Sequence, residues 1–151
     1  MKTIFNTAIG DFTEGDKEGI GTLRREGNKT YKWVKFDNGD AIAAAVGQAV
    51  GYKKTGYATC VVTPDISETD SVPAGVMQAV VPDGYYCWIQ IKGPCTLATT
   101  VTSGADGAPF VFGADGVFVK SALTGNAQVN EILAGWSDDD SGKIVVLTCP
   151  E

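Results

Sequence analysis

The chain has 151 residues, 12 of them Lys or Arg and 18 Asp or Glu, for a net charge of −6 and no histidine. This length fits one domain, or one domain with an arm, and buries about 70% of the unfolded surface. A hydrophobic content of 44% excludes a disordered polar chain, and the lack of histidine excludes imidazole catalysis, Ser-His-Asp and Cys-His engines and His-containing zinc sites.

The charge is uneven. Residues 1–40 hold seven basic and seven acidic side chains, so the whole excess of −6 lies in residues 41–151. Such a body repels polyanions, and a nucleic-acid partner is not expected. The first residues, MKTIFNTAIGDF, lack the apolar run of a signal peptide, and no stretch approaches the length of a membrane helix. Synthesis in a cytoplasm and no membrane association are the expectation.

Residues 1–19 read as an extended arm. They show no sustained period, and only Ile4, Phe5, Ile9 and Phe12 offer anchors. Such an arm is either frayed or docked on something else. Residues 20–151 read as one β-rich domain. Gly27-Asn28 sits between two strand-like runs and predicts a hairpin. In its second strand Thr30, Lys32, Val34 and Phe36 share one face, and Tyr31, Trp33 and Lys35 share the other. Neither face is purely polar, so one is free to meet another chain.

Residues 41–50, AIAAAVGQAV, are the one helix candidate. Asp40 could cap it and alanine favours it, but Gly47 and the short length oppose it. A short helix and a small-residue strand with a turn at Gly47-Gln48 stay open. Strands are then predicted at 58–62, 76–81, 85–92, 95–102, 110–112 and 117–120. Residues 66–72 read as a polar loop, and Gly93-Pro94 as a break. The chain closes with a segment from Gln128 to Trp136, an acidic loop at 137–141 and a strand at 143–148. Short strands punctuated by Gly and Pro predict an all-β fold, a compact β-sandwich or barrel-like domain with at most one short helix.

Few residues carry chemistry. Cys60, Cys87, Cys95 and Cys149 contain no CxxC pair, so a zinc ribbon is not expected. Reduced, buried thiols fit cytoplasmic folding, with a disulfide as the alternative. Gly104-Ala105-Asp106-Gly107 recurs as Gly113-Ala114-Asp115-Gly116. Two hairpin turns explain this better than a calcium array, which needs more repeats. Asp138-Asp139-Asp140 reads as a solvated loop in preference to a cation site. There is no phosphate loop and no nucleophile elbow. No cofactor, no metal, no catalytic residue and no enzymatic activity are expected. Arg24, Arg25, Lys29, Lys32 and Lys35, interleaved with Tyr31 and Trp33, resemble a single-strand platform, but Glu26 and Asp37 dilute it. Lysines at strand edges also block unwanted pairing. A protein-facing aromatic patch fits better.

Three passages resemble one family. Gly21-Thr22-Leu23-Arg24 through Lys29-Thr30-Tyr31-Lys32-Trp33-Val34-Lys35 is similar to the opening of small structural proteins of tailed bacteriophages. Residues 40–50 are similar to the segment that follows in them. Pro73-Ala74-Gly75-Val76 and Gly84-Tyr85-Tyr86-Cys87-Trp88-Ile89-Gln90-Ile91-Lys92-Gly93-Pro94 resemble their core, with Cys87 where glycine is common. Ile144-Val145-Val146-Leu147 resembles their closing strand. The family includes capsid decoration proteins, also called cement or head auxiliary proteins. The resemblance implies a β-rich virion protein on the capsid exterior, bound to the major capsid protein, often trimeric, and stabilising the shell. A fibre or tail-associated binding module is the alternative. The expected interface is the arm and first hairpin, through Phe5, Phe12, Arg24, Arg25, Tyr31, Trp33 and Phe36.

Overall fold

A computed structural model describes residues 4–122 and 132–151. The start of the arm (residues 1–3) and residues 128–131 of the segment predicted from Gln128 to Trp136 lie outside the described residues. The fold is all-β, with one 3-10 turn at Ile66–Glu68. In chain order the strands are β1 Phe12–Thr13, β2 Leu23–Glu26, β3 Lys29–Phe36, β4 Ala49–Lys53, β5 Val61–Thr63, β6 Thr69–Met77, β7 Tyr86–Thr96, β8 Pro109–Ala114, β9 Val117–Lys120, β10 Gly135–Asp139 and β11 Ile144–Thr148.

Five strands close on themselves. β3 pairs with β5 in parallel, and β5–β4, β4–β6, β6–β7 and β7–β3 are antiparallel. The circuit is barrel-like and leaves these strands without a free edge over the paired residues, which removes a route to aggregation. β7 is the axis of the molecule. One of its edges carries β3, with Trp33 opposite Trp88 and Val34 opposite Cys87. The other carries β1, β6 and β11 in succession. From β11 the sheet runs on through β10 and β8 to β9.

The main core fills the ring and the inner face of this extension. Val34, Phe36, Val50, Val62, Val76, Ile89, Ile91, Phe110, Phe112, Phe118, Val145 and Leu147 are all buried in it. The Phe110 and Phe118 rings pack at 4.6 Å between centroids, tilted by 40°. Alternation along β8 and β11 sends every second residue inward, as a half-buried strand requires.

Of the two readings open for residues 41–50, no helix forms; a turn at 46–47 leads into strand. Ala41 has φ 64 and Gly47 has φ 83, both incompatible with helix. Gly47 also lies against the backbone of Leu97 and Ala98, where a Cβ has no room. Ala49 and Val50 instead open β4. Thr69 to Val72, read as loop, belong to β6. Gly93-Pro94 does not break β7. β3 pairs with β7 only as far as Lys92, so Pro94 falls where one edge is open and proline is tolerated. Of the two glycine-aspartate repeats, only the second is a hairpin turn, joining β8 to β9. The first is a loop tied to β10 through the Gly107 N–H and the Ser137 carbonyl.

The four cysteines are free and buried, as expected. Burial pushes the Cys87 and Cys149 thiols up to about 12 and Cys95 to about 11, so they stay protonated and poorly nucleophilic at neutral pH. One buried hydroxyl lacks a partner among the described residues, the Oγ of Ser137. Removing an unsatisfied buried hydroxyl relieves its desolvation penalty. Ser137→Ala is therefore expected to raise stability by about 1 kcal/mol, read as a higher urea midpoint. A lower midpoint would show that the hydroxyl is bonded after all.

Candidate interaction surfaces

The expected docking surface is occupied by the chain itself. Tyr31, Trp33 and Trp88 form a second buried cluster on the outer face of β3 and β7, with Trp33 and Trp88 both at 0% exposure. The arm supplies its lid. Phe5 meets Trp88 edge-on at 5.5 Å, and Ile9 packs beside it. The two indoles donate outward to the arm, Trp88 Nε1 to Thr7 Oγ1 and Trp33 Nε1 to Asp16, each at 2.8 Å. Burial works to raise the Asp16 carboxyl, yet bonds from the Ile20 N–H, the Trp33 indole and the Gly19 N–H hold it below the usual range. Glu18 ties Thr7 down through its N–H and hydroxyl. Arg24 lies over the Phe5 and Trp88 rings at 4.7 and 5.5 Å, donates to the Thr7 carbonyl at 2.8 Å and pairs with Glu26.

Among the seven expected interface residues, the structure therefore brings Phe5, Arg24, Tyr31 and Trp33 together, but into an internal cluster. Phe36 faces the main core instead. Only Phe12 and Arg25 remain exposed, Phe12 against the ring of Tyr85. The physical reason is that tryptophan brings a large apolar area, so the nearest apolar segment, the arm, covers it.

Lys32 is a second correction. Read as an edge lysine, it is buried, and its Nζ donates to the Tyr52 hydroxyl at 2.8 Å. The ammonium sits 5.1 and 5.3 Å from the Tyr52 and Tyr57 ring centres, which compensates part of its lost hydration. Burial pushes the Tyr52 phenol up, so it stays neutral beside the cation. Tyr57 donates to the Glu151 carbonyl, fastening the C-terminal residue over this site.

Ile4, Phe12, Ile20 and Leu23 leave some apolar surface exposed on the arm and first hairpin, and a second apolar stretch lies on the far part of the sheet. Register places Pro94, Val146, Trp136 and Pro109 side by side on four neighbouring strands, β7, β11, β10 and β8. Residues directly opposite share a face, so these four form one row across the outer side of the sheet. None is fully buried, and Trp136 at the centre is 42% exposed. Ile144 and the Val111–Val119 pair extend the row on either side. The residues between them in sequence, Cys95, Val145, Gly135 and Phe110, are buried beneath. The result is an apolar outer face on a rigid support. Sequence reasoning missed it because the row draws one residue from each of four strands.

Two hollows lie at the end of the ring. One, about 500 Å³, is lined by Lys35, Lys53, Lys54, Asp37, Asp83, Thr55 and Thr59, among others. The other, about 280 Å³, is lined mainly by Ala43, Ala44, Val80, Val81 and Pro82. Among the described residues no group of three or more Cys, Asp or Glu is placed to hold a metal ion. Residues 137–139, read as part of an acidic loop, belong to β10 instead, and in the turn that follows Asp139 accepts from the Gly142 N–H and the Ser141 hydroxyl, which is ordinary turn bonding. No helix among the described residues is long and apolar enough to cross a membrane.

No protein-family model, curated protein or solved structure matches the chain. The functional reading therefore rests on these surfaces and on the resemblance in the sequence.

Proposed function

We propose that this chain is a structural virion protein that binds the outer surface of an icosahedral phage capsid and stabilises it. The partner is the major capsid protein. The observation that carries this reading is the apolar row Pro94–Val146–Trp136–Pro109 on the outer sheet face. Exposed apolar surface of this kind on a folded domain marks an interaction site. Tryptophan at the centre of such a patch is the residue type that most often dominates binding energy. A capsid repeats one site many times over its surface, so several such domains joined as an oligomer bind together with greater strength than one alone. The ring and its extension hold the row rigid, so little ordering cost attends binding. Docking is through this face, and the arm serves the fold.

The test is a count. Purified protein is mixed with shells assembled from the virus's major capsid protein, and the shells are sedimented. Near-stoichiometric co-sedimentation with the capsid protein is expected, with imaging showing copies grouped around symmetry axes. A few copies per particle would favour a fibre or tail-associated module. No bound copies would remove the proposal.

A further inference from the structure

One corner of this acidic chain is basic. Register sets Arg25, Thr30, Lys92 and Thr148 side by side on β2, β3, β7 and β11. Lys32 lies two residues beyond Thr30, on the same face of β3. The other charges of the hairpin, Arg24, Glu26 and Lys29, alternate onto the opposite face with Tyr31.

Three cations on three strands converge on one carboxylate. Glu151 pairs with Lys92. Its carboxyl is held below the usual range first by the Lys92 bond and charge, against an opposing cost of burial, and then by the charges of Arg25 and Lys32. Among the described residues neither Arg25 nor Lys32 has a carboxylate within ion-pair distance. Arg25 is exposed, and Lys32 is buried behind it with only the Tyr52 hydroxyl and the Tyr52 and Tyr57 rings as partners. An ammonium shielded from water is weakly screened and draws an anion to the mouth of its site. Two positive charges therefore remain after Glu151 is counted.

Glu151 itself is lightly held. Its side chain is 42% exposed, and a surface pair with a lysine stabilises little. Its backbone is fastened by one bond, from the Tyr57 hydroxyl to the Glu151 carbonyl. The contact can open without disturbing the core, since Cys149 stays bonded to the Ile91 carbonyl.

We infer that Arg25, Lys32 and Lys92 form a docking site for a short acidic segment of a partner protein, and that Glu151 fills the place of the partner's carboxylate in the free chain. The seated carboxylate shows what chemistry the site accepts, and the two uncompensated cations ask for more of it. Arg25 and Lys92 stand two strand spacings apart, about 10 Å, which is the length of about three extended residues. A nucleic acid fits worse, because its phosphates continue past this corner over a body that carries the whole net charge of −6. The site does not depend on the capsid reading.

The experiment is an NMR titration of the ¹⁵N-labelled chain, parent and Glu151→Gln, with the capped peptide Asp-Glu-Asp-Glu. In the parent, the amides of Thr30, Lys92, Tyr57 and Glu151 are expected to shift together as the internal carboxylate is displaced. Glu151→Gln removes the competitor and should bind about threefold more tightly, the size of one solvent-exposed ion pair. Arg25→Gln with Lys92→Gln should lose about fivefold. The peptide Asn-Gln-Asn-Gln should leave these amides in place. A basic patch with no internal ligand would give no gain in Glu151→Gln, and that result overturns the inference. So do equal shifts with the uncharged peptide, no shifts at these amides, or tighter binding of a short single-stranded oligonucleotide. Each variant's own spectrum checks its fold, and if Glu151→Gln is altered the joint shift of Tyr57 and Glu151 in the parent still decides.

Discussion

Replacing Trp88 by alanine is expected to cost about 4 kcal/mol, a large share of the stability of a domain this size. The side chain is wholly buried between the sheet and the arm, edge-on to Trp33 at 5.2 Å and to Phe5 at 5.5 Å. Truncation opens a cavity that the strands of a closed ring cannot collapse to fill. It also removes the indole bond to Thr7 and one ring beneath Arg24. The loss falls on two levels. The urea midpoint drops, and the arm loses its seat. Trypsin should then cut at Lys17 well before the rest of the domain, and at a rate far above that for the parent protein. Phe5→Ala provides the comparison, since it frees the arm with a smaller loss of global stability. A Trp88→Ala protein with a parental midpoint and an uncut arm would mean that the arm does not lie where described.

Gly93→Ala should be nearly as damaging, for a different reason. Gly93 has φ +92, a region that side chains rarely enter, and a Cβ there would collide with the Asn28 carbonyl oxygen. The obstacle is backbone, part of the β2–β3 turn, so it cannot swing aside. Strain and clash together predict a loss of about 3 kcal/mol or failure to fold. Gly27 tests the logic. It also has positive φ, +61, but nothing lies near its missing Cβ. Asparagine tolerates that conformation, so Gly27→Asn should leave the midpoint within about 0.5 kcal/mol of the parent. Similar losses at the two positions would show that close approach at Gly93 is not the cause.

The β character of the fold is plain in the sequence. β-branched and aromatic runs between Gly and Pro mark most of the strands, and Gly27-Asn28 marks the first hairpin. What the sequence conceals is pairing. The parallel contact of β3 with β5 closes the ring, and it joins Lys35 to Val61 across the whole of β4. No local pattern announces it. The alanine-rich run at 41–50 suggests a helix, but tertiary contact overrides propensity there, with Gly47 pressed against the backbone near Leu97.

The burial of Tyr31 and Trp33 is hidden in the sequence for a similar reason. Tyr31 and Trp33 alternate with lysines, and a strand with two mixed faces reads as half-free. Only the positions of Phe5 and Ile9 in space show that the arm covers this face. The row through Trp136 shows the opposite case. Pro94, Pro109 and Val146 are unremarkable in their own strands and become a surface only when register aligns them.

The central claim, that the protein works by contact through this outer face, is tested most directly by Trp136→Glu in shell co-sedimentation. The side chain is 42% exposed and outside the core, so the variant should keep the parental fold and urea midpoint. A charge at the centre of an apolar contact leaves it unpaired and desolvated, and occupancy should fall by about tenfold or more. Undiminished occupancy, with the fold intact, would contradict the account.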